Sequence, residues 1–90
     1  MTGIPGNPLG YARAVAEGTA PFTVIQLKKM TGEELKKIFV NLNIALREIR
    51  SVTVAEHDID GIRGRAHKLQ RLNNAVLLLQ HHAKKLRIPL

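Results

Sequence analysis

The chain has no cysteine, no tryptophan and only three aromatic side chains, Tyr11, Phe22 and Phe39, and it carries no carboxylate after Asp60. Each absence closes a class of explanation. Without cysteine there can be no disulfide and no thiolate metal site, and a reducing compartment is compatible, so a cytoplasmic location is expected. With so few aromatics, the platforms on which single-strand nucleic-acid binders stack bases are poorly supplied. No stretch approaches the roughly 18 apolar residues of a membrane span, and no basic start followed by an apolar run marks a secretory leader, so no membrane partner is expected. Glycine-rich phosphate loops, nucleophile elbows and paired catalytic carboxylates are missing too, and the chain reads as a non-enzyme without a cofactor.

What the sequence does have is a segregated charge. From Gly61 to Leu90 there are seven cations (Arg63, Arg65, Lys68, Arg71, Lys84, Lys85 and Arg87) and no acid, whereas Met1 to Asp60 carries seven of each sign. The whole net charge of +7 therefore belongs to the last third of the chain. A patch of one sign attracts an oppositely charged partner and speeds encounter, which points to an anionic one.

Ninety residues make one domain of modest stability, for which support from an oligomer or a larger assembly is expected. Residues 1–22 hold Gly3, Gly6, Gly10 and Gly18 with Pro5, Pro8 and Pro21, and read as an extended N-terminal arm. Within it Asn7 can cap, and Pro8 can open, a short helix that Gly18 stops. Such a helix is too short to stand alone and must dock on something. Residues 23–90 form the main unit. Phe22 to Met30 fits either a strand or a helix capped by Thr23, with helix preferred. Thr31 and Glu34 make a capping box, and Leu35, Ile38, Phe39, Leu42, Ala45, Leu46 and Ile49 then fall on one helical stripe that ends near Arg50. A second helix starts at Thr53 with Glu56, or at Asp58 or Asp60, and carries Leu69, Leu72, Val76, Leu79 and Ala83 to about Pro89. The expected fold is all-α: an antiparallel, coiled-coil-like helical hairpin, part of a helical bundle, with the arm appended.

Four apolar residues do not fit a simple hairpin. Val40 and Ile44 lie off the main stripe of the first helix, and Leu77 and Leu78 belong to a segment, Ala75 to Leu79, that is apolar all round. They predict a protein interface, either under the arm or in a homo-oligomer or assembly.

The candidate polyanion-binding residues are Arg63, His67, Arg71, His81, Lys84 and Lys85. At 100° per residue Arg63, His67, Arg71, Asn74, His81, His82 and Lys85 share a polar face, arginine offers a planar fork to phosphate, and cations spaced along a helix can follow a phosphate backbone. Lys36 and Lys37 on the first helix are expected to contribute less, because Glu33 and Glu34 offset their field. His81 and His82 point about 100° apart and lack a ligand at helical spacing, so no metal is expected. The leading function is binding of nucleic acid or another polyanionic surface; the alternative is a non-catalytic structural or scaffold subunit.

Two resemblances touch parts of the chain. Ala66-His67-Lys68-Leu69 resembles a fragment of the histidine phosphotransfer motif, which would imply a phosphoryl-accepting His67; Gln70 and Arg71 stand where that family has lysine and glycine, and phosphotransfer is not expected. Leu27 to Leu35, with a following helix ending Ile49-Arg50 and a basic second helix, is similar in outline to a hairpin protein family of the bacterial large ribosomal subunit, which illustrates how a basic hairpin meets RNA.

Overall fold

Every helix begins at a side-chain cap. In the computed structural model, which describes residues 7–52 and 55–90, α1 (Pro8–Glu17) starts where Asn7 Oδ1 accepts from the Leu9 amide. In α2 (Val24–Lys28) the Thr23 hydroxyl accepts from Gln26, which resolves the ambiguous segment as helix. A full capping box opens α3 (Gly32–Ser51): the Glu34 amide donates to Thr31 Oγ1 at 3.2 Å and the Thr31 amide donates to Glu34 Oε1 at 3.0 Å. Asp58 caps α4 (Ile59–Lys85), accepting from Gly61. The alternative start at Thr53, like Gly3, Pro5 and Gly6 of the arm, lies outside the described residues.

Among the described residues the protein is all-helical, and its four helices pack against one another around one apolar cluster. Leu27, Leu35, Ile38, Leu42, Leu72 and Leu79 are fully buried, each contributing about 1.5–3 kcal/mol of transfer free energy. The described part of the expected arm is not extended. α1 packs on both α3 and α4 and buries Tyr11, Ala12, Val15 and Ala16. Tyr11 fastens the chain that returns from it: the hydroxyl donates to the Pro21 carbonyl at 2.7 Å, and the ring lies 6.2 Å from that of Phe22. Burial pushes the Tyr11 hydroxyl pKa up.

Contacts at the helix ends fix their directions. The Arg65 guanidinium, near the start of α4, donates to the Ile49 and Arg50 carbonyls at the end of α3. At the other end, a Cβ on Gly32 would lie 3.9 Å from Ile88. α3 and α4 therefore run antiparallel. α1 runs alongside α3 in the same direction, joined to it by Arg13 and Glu48 at 2.7 Å. Hydrogen bonds from Arg13 hold the Glu48 carboxyl below its ordinary pKa, so the pair is formed at neutral pH and lost on acidification. The molecule measures 45 × 24 × 18 Å.

The close of α1 is a left-handed turn packed on α4. Gly18 has φ 81°, its amide and that of Thr19 return to the Val15 and Ala14 carbonyls, and a Cβ on Gly18 would stand 3.1 Å from Arg71 Cζ. Glycine is required there both for the left-handed turn and for the approach of the arginine. Gly18→Ala should lower stability by about 1–2 kcal/mol, read as a shift of the urea midpoint with unchanged slope.

Candidate polyanion-binding surface

Three of the seven cations in the last third of the chain contact the ends of α1 and α3. Arg65 donates to Ile49 and Arg50 at the end of α3, Lys68 pairs with Glu17 at 3.0 Å, and Arg71 donates to the Ala16 carbonyl at 2.9 Å. Spaced at i, i+3 and i+6, they form one row on α4. The last carbonyls of a helix lack intrahelical partners and sit at its negative end, so cations belong there. The C-terminal ends of α1 and α3 lie together, and this row serves both.

Arg71, expected to face a polyanion, is exposed, and one of its guanidinium nitrogens donates to α1. His82, expected on the same polar face, is 9% exposed, and its Nε2 has no hydrogen-bond partner among the described residues. α1 and the turn after it pack on the flank of α4 that carries Arg71, Ala75 and Leu78, a flank that a two-helix hairpin leaves to solvent. Arg63, His67, His81, Lys84 and Lys85 are exposed. Arg63 and His67 lie toward the start of α4, however, about 20 residues from the lysines and so roughly 30 Å away along the axis.

A different constellation replaces the continuous track. The antiparallel packing brings Lys28 and Lys29 at the close of α2, Lys36 and Lys37 in the first turns of α3, and Lys84, Lys85 and Arg87 at the end of α4 to one end of the molecule. All seven are exposed, and among the described residues none is in an ion pair. Against them stand Glu33 and Glu34, and Glu34 is buried in the capping box. The remaining acids, Glu17, Glu48, Glu56, Asp58 and Asp60, belong to the opposite end. The offset expected for Lys36 and Lys37 thus comes from two carboxylates against seven cations.

Arg87 is held unusually for an arginine. Its φ is 57°, in the left-handed region, where it occupies the position after the helix that glycine normally fills. The Ile88 amide returns to Ala83 at 2.8 Å and Ile88 packs on the core, so the turn is fixed.

The four interface candidates separate into two pairs. Leu78 and Ile44 are half-buried, and Leu78 lines a cleft with Val15, Ala20, Phe22 and Arg71. Val40 and Leu77 are each 55% exposed. They lie about 160° and 140° around their helices from Leu42 and Leu72, so they point away from the shared core. Among the described residues no group of three or more His, Asp or Glu gathers in a way that could hold a metal ion. The chain matches no protein-family model, no curated protein and no solved structure.

These positions give different substitution outcomes. Leu78→Glu should destabilise by about 2 kcal/mol or more whatever the oligomeric state, since it forces a charge against the core. Leu77→Glu should change monomer stability by less than about 0.5 kcal/mol. Urea titration of both variants distinguishes packing within one chain from contact between chains.

Proposed function

We propose that this protein is a non-catalytic binding module, working in the cytoplasm, that grips nucleic acid or another polyanionic surface end-on by its basic pole. The gathering at one end of an elongated bundle of seven exposed cations that form no ion pair among the described residues, with most acids at the other end, is the observation that carries this reading. A one-signed end orients the molecule in the field of a polyanion before contact, which favours an end-on approach over binding along the length of α4. The strained backbone at Arg87 supports it as well, since a cation is kept where glycine would be easier.

Fluorescence anisotropy with duplex DNA and structured RNA over a range of salt tests the proposal. With about four to six phosphates engaged, log affinity should fall against log salt with a slope near −4 to −5. Reversing Lys36 and Lys37 to Glu should flatten this slope as much as reversing Lys84 and Lys85. Reversing Arg47 and Arg63, exposed cations remote from the pole, should do much less. Equal effects from all three pairs would mean diffuse attraction to a cationic protein.

A second reading, that of a structural subunit in a homo-oligomer or multiprotein assembly, is favoured by the exposure of Val40 and Leu77. Light scattering of the native protein over a wide concentration range tests it: self-association that Leu77→Glu abolishes supports this reading, and a concentration-independent monomer removes the homo-oligomer.

A further inference from the structure

The basic pole is not only basic. Of the exposed large apolar side chains, Val24 and Ile25 lie on α2, 40% and 67% exposed, and Leu86 and Leu90 follow α4, 54% and 45% exposed. In sequence these pairs are some sixty residues apart; the packing of α2 on α4 and of Ile88 beside Gly32 brings them to the end that holds the lysines. Four aliphatic side chains thus stand in water among Lys28, Lys29, Lys84, Lys85 and Arg87.

Resting on the reading of this pole as a polyanion site, we infer that its partner is an anionic lipid surface. Val24, Ile25, Leu86 and Leu90 enter the headgroup layer, and the surrounding cations face lipid phosphates and carboxylates. Single-stranded nucleic acid is held by bases stacked on exposed aromatics, and here Tyr11 is buried while Phe22 and Phe39 are half-buried. A bilayer interface takes aliphatic groups from an amphipathic surface and adds attraction of Lys and Arg to anionic headgroups. Lying on a membrane needs no spanning segment, and among the described residues no helix is long and apolar enough to cross one.

The test is co-sedimentation with vesicles of phosphatidylcholine, with and without phosphatidylserine, run beside duplex DNA titrations of the same proteins. The native chain should bind the phosphatidylserine vesicles and leave the pure phosphatidylcholine ones. Lys84→Glu with Lys85→Glu should weaken both vesicle and duplex binding, by about fivefold or more per lysine on vesicles. Ile25→Ser with Leu86→Ser, both at exposed positions and checked for intact helix by circular dichroism, should lower vesicle partitioning about tenfold and leave duplex affinity unchanged. Duplex binding without vesicle binding would overturn the lipid inference and leave the polyanion reading standing. Undiminished vesicle binding by the Ile25→Ser, Leu86→Ser protein would also overturn it, because the contact would then be charge alone. Binding to neither would remove both.

Discussion

The carbonyl ends of α1 and α3 converge at one end of the bundle, and two helix C-termini side by side place unpaired acceptors and two negative dipole ends together. Arg65, Lys68 and Arg71 on α4 meet that requirement. The row locks three helices in register, since each of its side chains reaches a different point on α1 or α3. It also requires Gly18, whose missing side chain admits Arg71, and it sets the depth at which α1 seats Tyr11, Ala12, Val15 and Ala16 in the core.

One consequence is a division of labour among the cations. Arg65, Lys68 and Arg71 contact helix ends, and those at the far end form no ion pair among the described residues and face two acids, Glu33 and Glu34. The seven cations that run along the sequence as a single block are therefore split in space, three of them on helix ends. The pole that remains combines lysines from three elements with four exposed aliphatics, the combination on which the proposed contact with an anionic layer rests.

Local features were legible in the sequence because their physics is local. Asn7, Pro8 and Gly18 bound α1, Thr31 and Glu34 open α3, and Asp58 was one of three candidate starts for α4; a cap is a contact between residues three or four apart. The buried stripe of α3 follows from its period in the same way. What required the third dimension was the side of α4 on which α1 and α2 lie. That one fact ties Arg71 to α1 while leaving it exposed, half-covers Leu78, and leaves Leu77 outside. The basic pole was missed for a similar reason: Lys28, Lys29, Lys36 and Lys37 sit among acids in sequence, and only antiparallel packing sets them beside Lys84 and Lys85. Val24 and Ile25 were read for their secondary structure alone, and nothing in the linear sequence joins them to Leu86 and Leu90.

Amide chemical-shift mapping during titration with inorganic polyphosphate separates the pole from a track along α4 in a single experiment. Perturbations should concentrate in residues 24–37 and 81–90, with Arg65, Lys68 and Arg71 unmoved because their charges stay on the ends of α1 and α3. Shifts running along residues 61–75, with those three among the most affected, would mean that the row is free to leave the helix ends and that the division of charge described here is wrong.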